Sequence, residues 1–235
     1  MLRLSFALVI CGLVGACAPS GYSTMTVAAV YKSVPDPSLK AKRTFLNVVQ
    51  TVEPVAEQEC MARTTSVNCD FNIVVDQRPD QPANAYQTID RQGRPIIAFN
   101  VQLIEDARNA DELAFVLGHE AAHHIRGHIE RQRDSEMASA MLAASLAALA
   151  GASADVIRSA QETGALVGAR AFSKTFELEA DELGTIITAR AGYDPVRGAK
   201  FFDRIPDPGD MFLGTHPPNA QRQELVRQTA AQFGL

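Results

Sequence analysis

Apolar positions in this chain fall into three regimes. From Leu4 to Ala16 they are almost unbroken, between residues 71 and 99 they come in short runs, and elsewhere they recur at three- and four-residue spacing. The first run follows Met1-Leu2-Arg3 and ends on small residues before Cys17, the layout of a secretory signal over 1–16. At about 13 residues it is shorter than the ~20 that a bilayer span needs. The stretch 17–37 carries Pro19, Ser20, Gly21, Ser23, Pro35 and Pro37 and predicts a tether. Residues 38–235 predict one domain.

Within it, Leu39, Phe45, Leu46, Val49, Val52 and Val55 predict a helix over 38–63, with Pro54 a candidate break. Residues 71–75, 85–89 and 95–99 predict strands. Asp90-Arg91-Gln92-Gly93-Arg94 joins the last two as a hairpin turn in which Gly93 supplies a positive φ. The expected fold class is therefore α+β, mainly helical, with a small antiparallel sheet ahead of the helices. A short helix is expected over 100–108. Asn109 then stands as an N-cap with Glu112 at the third helical position, opening a helix that runs to about Arg126 and ends at Gly127. Residues 134–171 are Ala-rich and helical in character. Their most apolar part, 137–152, is about 16 residues long, short for a membrane span. It predicts a buried helix or helical hairpin, or else a contact with a membrane or an unfolded client. Further helices are expected over 172–191, 196–203 and 219–232, with a Pro- and Gly-rich loop before the last.

At 235 residues and 46% hydrophobic content the chain can bury one well-formed core. Its net charge of −5 argues against nucleic acid as a partner, since such proteins carry a basic surplus or stripe. Cys11 leaves with the signal, and Cys60 and Cys69 remain as an even pair in the mature domain. In an oxidising compartment they predict a disulfide, with two free structural thiols as the alternative.

The candidate chemistry centres on His119-Glu120-Ala121-Ala122-His123. Two histidines four apart leave one face of a helix together, so both imidazoles can reach one Zn²⁺. Glu120 beside them can take a proton from a zinc-activated water and return it to the leaving amine, as peptide hydrolysis requires. A catalytic zinc normally has three protein ligands. His128, about 180° around the same helix, is poorly aimed, and so is His124; both read as solvated or structural. In Glu177-Leu178-Glu179-Ala180-Asp181, Glu177 and Asp181 share a face. Glu177 is the candidate third ligand, and Asp181 the carboxylate that would orient a ligating histidine. Glu179 points away and is the weaker candidate. A strand edge at 85–89 or 96–99 could pair with an extended peptide, or simply pack on the helices.

Together, HEAAH, FELEADELG and then His216-Pro217-Pro218-Asn219-Ala220-Gln221-Arg222 resemble the HtpX-like and CAAX-prenyl-protease family of zinc metallopeptidases, over about 71–222. The small periplasmic lipoprotein members look most similar. The resemblance implies a zincin-like domain holding one Zn²⁺ per chain on His119, His123 and Glu177, with Glu120 as general acid/base. It implies Asp181 as the carboxylate behind a ligand, His216 as a catalytic residue near the metal or a latent fourth ligand, and Arg222 as support for the His216 loop. It also implies unfolded or misfolded cell-envelope proteins as substrates. Val14-Gly15-Ala16-Cys17 resembles a bacterial lipobox. That implies cleavage before Cys17, a lipid anchor and, with Ala18 following, the periplasmic face of a Gram-negative outer membrane. The competing reading is a chaperone-like lipoprotein that binds unfolded clients while its zinc is held latent by His216.

Overall fold

A computed structural model describes residues 24–26, 39–78, 81–207 and 216–234. The signal-like run, Cys17 and the rest of 17–37 apart from 24–26 lie outside these residues. Within the stretch read as a tether, β1 (Thr24–Thr26) pairs antiparallel with β2 (Asn72–Asp76). The sheet is completed by β3 (Ala85–Ile89) and β4 (Pro95–Asn100), in the order β1-β2-β4-β3. β3 and β4 form the expected hairpin, its turn held by Asp90 Oδ1, which accepts from the backbone N–H groups of Gln92 and Arg94. The sheet is mixed rather than antiparallel throughout, because β4 inserts between β3 and β2 and runs parallel to β2. That insertion makes β4 central, so 96–99 is no edge. Among the described residues β3 is the free edge on that side.

Helix α1 (Leu39–Arg63) passes through Pro54 without a break. Pro54 and Gln50, whose carbonyl loses its partner to the ring, both face solvent, so water can satisfy the orphaned group. Cys60 and Cys69 are disulfide-bonded and close the loop that leads from α1 into β2. Helix α2 (Val101–Asp106) is capped by Asn100, which accepts from Leu103 N at 2.9 Å. Helix α3 (Ala110–Ile125) is capped by Asn109, which accepts from Glu112 N at 3.1 Å, while Glu112 accepts in turn from Arg108 N at 2.8 Å. The buried Glu112 carboxylate is also gripped by Arg204.

Then follow α4 (His128–Leu149), α5 (Ala154–Ala171), α6 (Ser173–Arg190), the short α7 (Pro195–Gly198) with a 3₁₀ turn (Ala199–Asp203), and α8 (Asn219–Gln232). Among the described residues no helix is long and apolar enough to cross a membrane. The core gathers Phe45, Val49 and Val52 of α1, Ile97 and Phe99 of β4, Leu117 of α3 and Leu183 of α6. α4 and α5 form a hairpin, as one reading of the sequence expected, but it is not buried: its large apolar side chains face solvent.

The placement of α3 against α6 is set by two glycines. A Cβ on Gly118 would lie 2.9 Å from the Gly184 carbonyl oxygen, and one on Gly184 would lie 2.9 Å from His119 N. Real side chains do not tolerate such contacts with backbone, so the axes can approach this closely only without them. Gly184→Ala is therefore expected to force the helices apart, destabilising the fold by about 1–3 kcal/mol. Urea denaturation checks the loss. Unchanged stability would mean that the crossing can relax.

Candidate metal centre

The crossing brings one turn of each helix together. His119 and His123 of α3 face each other with their Nε2 atoms 3.1 Å apart. Glu177 of α6 spans the pair, Oε2 lying 3.6 Å from His119 Nε2 and Oε1 3.4 Å from His123 Nε2. One donor atom from each of the three lies within 4.8 Å of the others. Glu120 is half-buried and lines the same cleft, about 560 Å³ in volume, which β3 borders at Ala85, Tyr86 and Gln87.

The far nitrogens decide what the near ones offer. His119 Nδ1 lies 3.0 Å from Asp181 Oδ1, so it carries the proton and donates, leaving a lone pair on Nε2. For His123 the route is longer. Glu179 accepts from Arg131 at 2.6 Å, and that bond holds its carboxyl down at about 2. As a carboxylate it accepts from His128 Nε2 at 3.1 Å. Burial and then the neighbouring His123 push His128 down to about 4, so its ring is neutral and its Nδ1 is an acceptor. His123 Nδ1, 2.8 Å from that atom, therefore donates to it, which leaves Nε2 as the nitrogen that faces Glu177 and His119. Two imidazole Nε2 atoms thus converge beside a carboxylate. Burial lowers His123, but Glu177 outweighs it and raises the ring above its usual value, so a positive charge is favoured here, a proton when no metal is bound, and the set of two nitrogens and one carboxylate suits Zn²⁺.

The third donor is kept ionised. Burial alone would raise the Glu177 carboxyl, but contacts with His123, His216, His119 and Arg222 outweigh it and hold the group well below the carboxylate range. Asp181, fully buried, behaves likewise: burial raises it, and Arg222 with His119 lowers it further than burial lifts it. Arg222 was expected to support the His216 loop. It donates to both Asp181 oxygens at 2.7 Å, lies 3.2 Å from Glu177 Oε2, the oxygen that His216 also meets, and stacks on Phe202 at 4.1 Å. His216, half exposed, sits with Nδ1 3.0 Å from Glu177 Oε2. His124 takes no part. Its ring is buried and its Nε2–H donates to the Asn68 carbonyl at 2.8 Å, which ties α3 to the disulfide loop.

His128 and Glu179 are the residues that sequence reasoning set aside. The angle assigned to His128 assumed one continuous helix. Gly127 breaks it with φ at +65°, and α4 starts afresh in a direction that returns His128 to His123. The signal was Gly127 itself, read only as a helix end.

Residues 42–230 match the family model described as peptidase family M48. No curated protein matches the sequence significantly.

If the Glu179–His128–His123 chain orients the second imidazole, His128→Ala should weaken zinc binding by about 10–100-fold. Competition with a chromophoric chelator measures this without reference to activity. Wild-type affinity in the variant would show that His123 is oriented by packing alone.

Proposed function

The chain belongs to peptidase family M48 and is thus a zinc metallopeptidase, and we propose that it cleaves misfolded or unassembled cell-envelope proteins internally, using the residues that converge on the α3–α6 crossing. The observation that supports this most directly is the convergence of the His119 and His123 Nε2 atoms, 3.1 Å apart, beside Glu177. His119, His123 and Glu177 would hold the ion, which when bound polarises a carbonyl and acidifies water. Glu120 takes the proton of the attacking water as oxygen adds to the scissile carbonyl carbon. It then gives that proton to the departing nitrogen as the C–N bond breaks. Asp181 and Arg222 keep His119 and Glu177 aimed. His216 stands at the open side of Glu177, where its ring can donate to the developing oxyanion.

Substrate enters along β3. This strand is the sheet's free edge on the cleft side, and an extended peptide can add to it through backbone hydrogen bonds that read no particular sequence. We further propose that the export signal ends before Cys17 and that lipid on this residue anchors the domain at the outer membrane, facing the periplasm.

The contact between His216 and Glu177 favours a second reading, in which the site is latent and the protein acts as a chaperone-like binder of unfolded clients. Casein cleavage separates the two. With Glu120→Gln, zinc content should stay at one per chain while turnover falls by about 10²–10⁴-fold. Equal turnover would remove Glu120 as the base. Cleavage by His216→Ala alone would show a self-inhibited peptidase. For the anchor, Cys17→Ser should move the protein out of the membrane fraction, and unaltered fractionation would reject lipidation.

A further inference from the structure

The α4–α5 hairpin presents a surface that catalysis leaves unused. It is rooted in the cleft at both ends: His128, Ile129 and Gln132 of α4 line the cleft, and so do Ser173 and Phe176 where the chain returns. Its helices meet along a seam of small residues. A Cβ on Gly164 would lie 2.5 Å from the Ser139 carbonyl oxygen and one on Gly168 2.3 Å from that of Ser135, and Ser135 Oγ donates to the Gly168 carbonyl at 2.8 Å. Because small side chains fill the seam, the large apolar ones turn outward. From Met137 to the end of α4 every exposed position but Ser145 is Met, Leu or Ala. Met137, Met141, Leu142, Leu146 and Leu149 are 62, 64, 62, 59 and 85% exposed. No charged residue stands between Glu136 and Asp155. Leu142 and Leu146 face Val156 and Val167 across a groove between the helices.

We propose that this arm is a docking surface for apolar segments of the unfolded polypeptide whose backbone enters the cleft; the proposal rests on the peptidase reading and names what that site selects. Continuity carries it, since a chain lying along β3 leaves the cleft across the wall from which the arm springs. The arm's chemistry agrees. Flexible methionines with leucines beside a shallow groove accept many apolar sequences, whereas a fixed partner would call for shaped pockets and charge pairs. A lipid surface fits less well. An interfacial helix pairs its apolar face with a basic one, but the outer face of α5 mixes Asp155 and Glu162 with Arg158.

The test is Leu142→Ser/Leu146→Ser in the full chain, with Leu142→Met/Leu146→Met as the apolar control. KM for unfolded casein should rise about tenfold in the serine variant, while kcat and the KM for a short peptide confined to the cleft stay at wild-type values. The methionine variant should match wild type for both substrates. An unchanged casein KM, or an equal rise for both substrates, would overturn the arm. Binding of labelled casein to Glu120→Gln, with and without the serine changes, reads the arm without turnover. If wild type cleaves nothing yet the serine changes weaken casein binding, the arm stands and the peptidase reading fails. Loss of sedimentation with phosphatidylcholine–phosphatidylglycerol vesicles, or a change of mass in ultracentrifugation, with casein binding unchanged, would overturn the proposal in favour of a membrane contact or a second copy.

Discussion

The near-contact of α3 and α6 at Gly118 and Gly184 fixes the rest of the molecule. His119 follows Gly118 directly, and Glu177 and Asp181 lie two turns and one turn before Gly184, so the crossing sets the distance between the imidazoles and the carboxylates that face them. A wider crossing would separate these groups by more than a metal–ligand bond could span. The sheet and α1 serve this arrangement from behind. They clamp the apolar side of α3 through Phe45, Phe99 and Leu117, so that its other side can be spent on polar groups.

A site this polar must keep its buried charges paired, because each ion costs several kcal/mol to desolvate. Arg222 answers for two carboxylates at once, gripping Asp181 with two bonds and reaching Glu177 with a third contact. Arg131 does the same at the rim, through Glu179, for the second imidazole. The two histidines of the candidate metal centre are therefore oriented by separate chains with one logic. A cation fixes a carboxylate, and the carboxylate fixes a tautomer, directly for His119 and through the neutral ring of His128 for His123. A metal ion would then find both lone pairs already aimed, with little ordering left to do on binding.

What the sequence made legible was local. Four-residue spacing put His119 with His123 and Glu177 with Asp181 on shared faces, and Asn109 with Glu112 marked where α3 starts. What it hid depended on direction or on neighbours. The path of the chain after Gly127 could not be read from an assumption of helical continuity, so His128 was assigned to the wrong side. The short apolar runs and the turn at Gly93 gave the strands but not their order, so the parallel pairing of β2 with β4 was missed. The Ala-rich hairpin looks the same in composition whether its apolar residues are buried or exposed. Only the glycine seam, which consumes the small residues, decides that Leu142 and Leu146 point outward.

The same hairpin ties recognition to chemistry by its point of insertion. It leaves the chain just after His123 and rejoins it just before Glu177, between two of the three donors. Flexibility at those roots would reach the metal site directly. The roots are accordingly stiff: the His128 ring stacks on Phe176 at 4.5 Å, and the Arg131 guanidinium lies 4.4 Å over the same ring while bonding Glu179. These contacts place the first turn of α4 and the first turn of α6 in one rigid block with the ligands. The exposed apolar side chains lie beyond these contacts, toward the far end of the hairpin. An arm built this way can adapt to varied chains at its tip without loosening the nitrogens at its base.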